Sequence, residues 1–418
     1  MKLYDELIKR DMIKDVSNEE LAKSLLNDKK ITFYCGFDPS AQSLQIGNFV
    51  QVVRMMLLQK YGHKPIILVG GATGLIGDPK QSGERKLLSL DKSLENAQKI
   101  KNQLSRFIDF SSEDKAILVD NYDWISKIDT ISFLRDYGKY FNINYMLAKD
   151  TIASRLDSGI SYTEFSYMLI QSIDFLKLYE KYDCQLQFGG SDQWGNITAG
   201  LELIRKVKGD NSEVIGISSP LLVKSDGTKF GKSESGALWL DEKMTSPYQI
   251  YQHLINTADE DVVKFLKNLT LLDIEEIEKL ENNITDEIKE GRVLQKLLAK
   301  EVVTLLHGDE AYKRSLKITE TLFSGKVQEL SLNELEECFN GVTSSKLDNN
   351  MSILDILVNS NILSSKREAR EMINNGAITV NGEKITDENK VYNKDNAMFN
   401  KYLIIRKGKK TYNLVELV

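Results

Sequence analysis

With 418 residues, 41% hydrophobic and 28% charged, the chain has the make-up of an ordinary globular protein and the length of two or three domains. No apolar run approaches the roughly 18–20 residues that span a bilayer, and the N-terminus MKLYDELIKRDMIKD is charged and amphipathic, without the apolar core of a secretory signal. Three scattered cysteines (Cys35, Cys184, Cys338) and three histidines (His63, His253, His307) exclude a disulfide scaffold, argue against a metal site and suit a reducing cytoplasm.

The net charge of −6 speaks against a nucleic-acid partner only as an average. From Lys346 to Val418 there are 12 Lys and Arg against 9 Asp and Glu, a balance of +3 that leaves −9 for the rest. Arg406, Lys407, Lys409 and Lys410 concentrate that basic character in RKGKK. Such a cluster is either a solvated face or a phosphate contact.

Along the chain, ITFYCGF (Ile31–Phe37) is rich in β-branched and aromatic residues and runs into the turn DPS, which predicts a buried strand. Residues Gly47–Tyr61 carry apolar positions at helical spacing, with Gly62 placed to end the helix. PIILVGG (Pro65–Gly71), AILVD (Ala116–Asp120), QLQF (Gln185–Phe188) and VIGIS (Val214–Ser218) predict further strands with helices between them. That alternation predicts a parallel α/β sheet, with ligands beyond the C-terminal strand ends. From Tyr248 to Phe323 the sequence turns Leu-, Lys- and Glu-rich with few breakers, predicting a helical domain. Ser324–Asn350 reads as a linker, and Met351–Val418 as a small α+β module with an Asn381-Gly382 turn.

Five segments carry chemistry. FDPSAQSLQIGN (Phe37–Asn48) puts a turn and a helix start where backbone N–H groups can meet phosphate, though a plain connection has the same pattern. GGATGLIGDP (Gly70–Pro79) allows close backbone approach to a ligand but lacks dinucleotide spacing. In YTEFSYMLIQSIDF (Tyr162–Phe175), Tyr167, Gln171 and Asp174 share one helix face, lining either a satisfied core network or a polar substrate pocket. GGSDQWGN (Gly189–Asn196) again joins glycines to Asp192 and Gln193. KSDGTKFGKSESG (Lys224–Gly236) is the most specific of the five. Its glycines flank two lysines three residues apart, which suits a polyphosphate clamp better than apolar packing.

Taken together, CGFDPS, GGATGLIGDP, EFSYMLIQSIDFL, GGSDQWGNITAGLELIRK and KFGKS resemble the bacterial tyrosyl-tRNA synthetases over nearly the whole chain. The resemblance implies a Rossmann-like α/β catalytic domain with a parallel sheet over residues 1–228, with a dimer-forming insertion at about 120–165 that contains FLRDYGKYFNINYMLAKD. It further implies a KFGKS loop and linker at 229–246, a helical anticodon-binding domain at 247–325, a linker at 326–350 and a small RNA-binding domain at 351–418. SKREAREMINNGAITVNGEKI matches that last module. The implied activity is ligation of L-tyrosine to tRNA(Tyr) with ATP and Mg2+, by a cytoplasmic homodimer without a tightly bound metal.

Residue by residue, the resemblance assigns Tyr34 and Asp174 to the substrate phenol, and Asp78, Tyr167 and Gln171 to its ammonium group. Gln193 is assigned a place near the reacting carboxylate. Cys35, Gly36, Asp38, Ser40, Gly47, Gly190 and Asp192 are assigned to ATP. Lys229, Lys232 and Ser233, with Gln45, Asn48 and Arg85, are assigned to the departing pyrophosphate. Two departures stand out. The family's HIGH or HIGN is here Gln45-Ile46-Gly47-Asn48, which keeps neutral N–H donors but loses the imidazole. In DPKQSGERK the lysine and the Glu-Arg pair fall nearer to Asp78 than the family spacing; Arg85 takes the motif arginine's place, and Lys86 is an alternative to Lys80 as phosphate partner. Two other readings remain: a tryptophanyl-tRNA synthetase, against which Tyr34 and Asp174 argue, and a non-catalytic RNA-binding relative, against which intact KFGKS argues.

Overall fold

The computed structural model describes residues 1–79, 87–112, 114–233, 236–340, 345–408 and 411–418, with the backbone alone at Asp150, Thr151, Lys232 and Ser233. Two compact units result: Met1–Asp241 with Thr257–Leu294, and Glu242–Asn256 with Gln295–Val418.

The first unit opens with helix α1 (Leu3–Lys9) and a short strand β1 (Asp15–Val16). The apolar runs then appear as β2 (Thr32–Phe37), β3 (Lys64–Val69), β4 (Ile117–Asp120), β5 (Cys184–Gly190) and β6 (Ile215–Ser219). Between β2 and β3 lies helix α2 (Ile46–Lys60), which Gly62, with φ 87°, follows. The long helix α3 (Tyr162–Tyr182) is capped by the Ser161 side chain and ended by Asp183 in a left-handed conformation. Helix α4 (Trp194–Lys208) connects β5 to β6.

The strands lie in the order β1-β6-β5-β2-β3-β4. All neighbours are parallel, as the sequence predicts, except the edge strand β1, which pairs antiparallel with β6 and makes the sheet mixed. The two-residue β1 is too short to carry a periodic signal. Chain order runs outward from β2 to β4 and then returns to β5 beside β2. That reversal opens a crevice beyond the ends of β2 and β5, the position where open α/β sheets bind ligands.

The predicted helical stretch is helical throughout, but it does not form a compact body of its own. Helix α5 (Asp259–Leu269) belongs to the first unit, where it buries Val262, Phe265 and Leu266. Helix α6 (Asp309–Ser324) belongs to the second. The linker expected at 326–350 contains helix α7 (Leu332–Cys338) and strand β7 (Ser345–Leu347). Ser331 and Glu334 form a capping box that starts α7, and Leu335 and Cys338 anchor it in a core.

The C-terminal part has helices α8 (Ile353–Asn359) and α9 (Lys366–Asn374) and strands β8 (Ile378–Val380), β9 (Glu383–Lys384), β10 (Tyr402–Lys407) and β11 (Thr411–Leu417). Its sheet runs β9-β8-β10-β11-β7. Asn381 (φ 50°) and Gly382 (φ 86°) form the tight turn that the Asn-Gly pair predicts. Strand alternation sends Leu403 and Ile405 into a core with α8 and α9. Tyr402 and Ile404 enter a second core with Ile318 of α6 and Leu335 of α7. No helix among the described residues is long and apolar enough to cross a membrane.

Candidate active site

The crevice at the β2/β5 reversal is a cleft of about 330 Å³. Strand β2 and its turn contribute Tyr34, Cys35, Gly36, Asp38 and Ser40, and α2 contributes Gly47 and Asn48. Helix α3 contributes Tyr167, Gln171 and Asp174, while Asp78, Gly190, Asp192 and Gln193 close the rim. Four of the five segments picked out by sequence thus converge on one site, and the α3 face that left two readings open lines a pocket.

At the closed end, Asp174 is buried and both its oxygens are taken: Asn121 Nδ2 donates at 2.9 Å and Trp124 Nε1 at 2.8 Å. Burial raises its carboxyl to about 8, despite the opposing effect of those two bonds. Tyr34 stacks on Phe175 at 5.3 Å, and its buried hydroxyl finds no hydrogen-bond partner among the described residues. An unpartnered hydroxyl in a buried wall is costly until something fills the pocket and bonds to it. Burial, then the Asp174 charge, pushes the Tyr34 phenol well above its usual range, so it stays a neutral donor.

Further out, acceptors gather. Gln193 Nε2 and Asn196 Nδ2 hold the Asp78 carboxylate at 2.7 and 3.2 Å. Tyr167 donates to Asp38 Oδ2 at 2.8 Å, and Thr73 donates to Asp38 Oδ1 at 2.7 Å. Asp38, expected on the ATP side, is therefore built into the same network as the ammonium set. The Gln171 side-chain oxygen is buried without a partner among the described residues. Two carboxylates and an unmet carbonyl at close quarters suit a cation. The glycine loop is shaped around them: a Cβ at Gly70 would fall 2.2 Å from Asp38 Oδ1 and 2.1 Å from Thr73 Oγ1. Asn121 ties this loop to the phenol end, accepting from Ala72 N at 2.8 Å and donating to Thr73 Oγ1 at 3.0 Å.

Sequence reasoning missed Asn121, Trp124, Thr73 and Asn196. Asn121 directly follows the predicted strand end at Asp120, the kind of position that marks a ligand site in this architecture, so the signal was present. Trp124 lies in a short irregular helix and left none.

The segments expected to meet phosphate are built differently. Gln45, Gly47 and Asn48 are exposed at the start of α2. Asn48 Oδ1 accepts from Gln45 N at 3.1 Å, which leaves the Asn48 amide N–H groups facing outward as donors. The lysine loop lies against this turn: a Cβ at Gly231 (φ 87°) would meet Ile46 Cγ2 at 2.7 Å and Gly47 N at 3.2 Å. Ile46 N donates to Leu238 O at 2.9 Å, and Leu238 N donates to Gly231 O at 3.0 Å. QIGN and KFGKS are thereby joined through backbone bonds, although they lie far apart in sequence. Lys229 is exposed and does not line the cleft, and neither does Gln45.

Arg85, Lys80, Lys86, Lys409 and Lys410 lie outside the described residues, as do the side chains of Lys232 and Ser233. In the second unit, Arg406 lies 6.0 Å from the Tyr412 ring, and Lys407 Nζ donates to Ile362 O at 3.2 Å. Both are half-buried and engaged with the protein itself. Among the described residues no group of His, Cys, Asp and Glu is arranged to hold a metal ion.

A crevice at a strand reversal, with a lysine-bearing loop bonded to the turn at a helix start beside it, fits a class I tRNA synthetase. The family profile "tRNA synthetases class I (W and Y)" matches residues 26–324, and "Tyrosine--tRNA ligase SYY-like C-terminal domain" matches residues 334–415. The chain belongs to this family, and within it to the bacterial type of tyrosine–tRNA ligase. It is 51% identical over 417 residues to tyrosine–tRNA ligase 1 of Bacillus subtilis (strain 168), covering 99% of each chain. It is 50% identical over 420 residues to tyrosine–tRNA ligase of Phytoplasma australiense, covering 100% of both. Among solved structures, a C-terminally truncated mitochondrial tyrosyl-tRNA synthetase of Aspergillus nidulans aligns with a TM-score of 0.68 at 29% identity, over 77% of this chain and 94% of that one.

Proposed function

We infer that the chain, as a tyrosine–tRNA ligase, carries out amino-acid activation in the cleft between β2 and β5. The observation that carries this reading is the closed end: an unpartnered Tyr34 hydroxyl and a buried Asp174 suit a phenol, which can both donate and accept. Phenylalanine would leave these groups unpaired, the kind of rejection for which tyrosyl-tRNA synthetases are themselves the standard example. Asp78, Tyr167 and Gln171 hold the ammonium group, and Gln193 orients the carboxylate. Cys35, Gly36, Asp38, Ser40, Gly47, Gly190 and Asp192 receive the nucleoside of ATP.

ATP enters as its magnesium complex. The tyrosine carboxylate oxygen attacks the α-phosphorus, the bond to the bridging oxygen breaks, and pyrophosphate leaves with the negative charge. Lys229, Lys232 and Ser233, with Gln45, Asn48 and Arg85, stabilise that charge, so catalysis is positioning and electrostatics without a covalent enzyme intermediate. A terminal ribose hydroxyl of tRNA(Tyr) then takes the tyrosyl group and AMP departs.

The helical stretch at 247–325 and the module at 351–418 bind the tRNA, with RKGKK as a phosphate contact. A homodimer joined through residues 120–165 is supported by the exposed Ile131, Leu134, Ile143 and Tyr145. A cytoplasmic location is supported by three free, buried cysteines.

Pyrophosphate exchange with tyrosine, tryptophan and phenylalanine tests the reading. Exchange supported by tyrosine alone is expected; tryptophan-dependent exchange, or none, overturns it.

A further inference from the structure

Helix α5 lies outside the cleft, yet one face of it reaches both segments assigned to phosphate. Residues 261, 264, 265 and 268 fall on that face by helical spacing. Asp261 is buried, and its carboxylate accepts from Ser225: the backbone N–H at 2.9 and 3.1 Å, and Oγ at 3.2 Å. Lys264 Nζ donates to Val223 O at 2.9 Å. Val223 in turn forms a β-bridge with Lys229, so these contacts grip both sides of the turn that leads into KFGKS. Phe265 packs on Phe230, in the middle of that motif, with ring centroids 4.7 Å apart.

One turn further on, Asn268 reaches the other segment. Its Oδ1 accepts from Arg54 Nη2 at 3.2 Å, and Arg54 belongs to α2, the helix that begins at QIGN. Arg54 is buried and makes no ion pair among the described residues; it also donates to Ser219 Oγ at the end of β6. With its amide oxygen facing the donors, Gln51 accepts from Arg54 Nη1 at 3.2 Å and from Gly190 N at 3.1 Å, which carries the chain of contacts to the cleft wall. Asn268 is itself held at the end of α1, donating to O of the capping residue Arg10 at 3.1 Å.

We propose that helix α5 sets the spacing between the KFGKS loop and the QIGN helix, with Asp261 and Asn268 as positioning residues for pyrophosphate departure. The proposal rests on the assignment of those two segments to the phosphates. Charge stabilisation of this kind depends steeply on geometry: a shift of about 1 Å caused from outside the site can cost on the order of 100-fold in rate. A carboxylate that accepts from both the backbone and the hydroxyl of Ser225 leaves that residue little freedom to move. Nothing on α5 lines the tyrosine end, so the effect is confined to the nucleotide.

The test is tyrosine-dependent pyrophosphate exchange by the full-length protein, with tyrosine binding measured separately at equilibrium. Asp261→Asn is expected to lower kcat about 10-fold and raise the KM for ATP, with tyrosine affinity unchanged. Adding Ser225→Ala to it should cost little more, because both act on one contact. Should Asp261→Asn fold poorly, Ser225→Ala reports on the same contact and Phe265→Leu on the neighbouring contact with Phe230, both with smaller disturbance. Normal kcat and ATP KM in all three variants, with tyrosine binding intact, overturn the proposal. Lys229→Ala separates the two failures. If it leaves exchange unchanged, the loop does not handle phosphate and the underlying assignment falls, and this proposal with it. If it slows exchange while the α5 contacts prove silent, only the brace falls.

Discussion

The two ends of the cleft solve opposite problems. The tyrosine end is a network in which the buried Asp174 and the half-buried Asp78 and Asp38 are bonded to neighbouring side chains. The phosphate end is exposed: Gln45, Gly47, Asn48 and Lys229 face solvent, and backbone bonds between two distant segments set their geometry. Burial makes each polar group selective, because a wrong ligand leaves it unpaired. Exposure leaves lysines hydrated and adaptable, which suits charge that develops only as the reaction proceeds. On the proposed assignment, selectivity falls to the closed end of the cleft and rate acceleration to exposed segments at and beside its rim.

That division can be broken most directly at the phosphate end. Lys229→Ala is expected to reduce kcat for exchange by about 100- to 1,000-fold with tyrosine affinity unchanged; a loss of tyrosine binding instead would mean the ends are not separable. Next in size, Asp174→Asn should weaken tyrosine kcat/KM by roughly 10- to 100-fold and narrow the preference over phenylalanine, since a carboxyl that can ionise to a strong acceptor is replaced by an amide that stays neutral. An unchanged preference would move selectivity elsewhere.

The same carboxyl sharpens the comparison through pH. Its folded value of about 8 lies above the ordinary value of 3.8, so the protonated form is favoured by folding. The associated stability is fully present below about 4 and is lost as pH rises through 8. Tyrosine kcat/KM is expected to move the other way, rising over that upper range as the accepting carboxylate forms. In Asp174→Asn this rise should vanish, whereas in Lys229→Ala it should persist. The smallest effect is expected at Gln45→Ala: a fall of about 3- to 10-fold in exchange rate, with the KM for tyrosine unchanged, as fits the loss of one neutral donor.

The same contrast governs what the sequence could reveal. Strand runs such as PIILV and the face shared by Tyr167, Gln171 and Asp174 were legible because periodicity maps directly onto burial. So were the glycine positions, because a Cβ at Gly70 or Gly231 has nowhere to go. The partners Trp124 and Thr73 were not, since each is set by tertiary contact and neither lies in a periodic segment. Helix α7 was overlooked although its capping box is visible as Ser331 and Glu334, because the polar surroundings outweighed a short helix. The division of the helical stretch was hidden for a simpler reason. Amphipathic spacing says that α5 buries a face and not which body receives it.

Strand β10 carries a consequence for handling the protein. Its alternate residues belong to two cores, Leu403 and Ile405 on one side and Tyr402 and Ile404 on the other. A chain cut before Ser345 would strip the cover from Ile318, Val327 and Leu335 and set a greasy face against water. The C-terminal module is thus no detachable tail: a truncated version would call for redesigned surface residues on α6 and α7 to remain free of clumping.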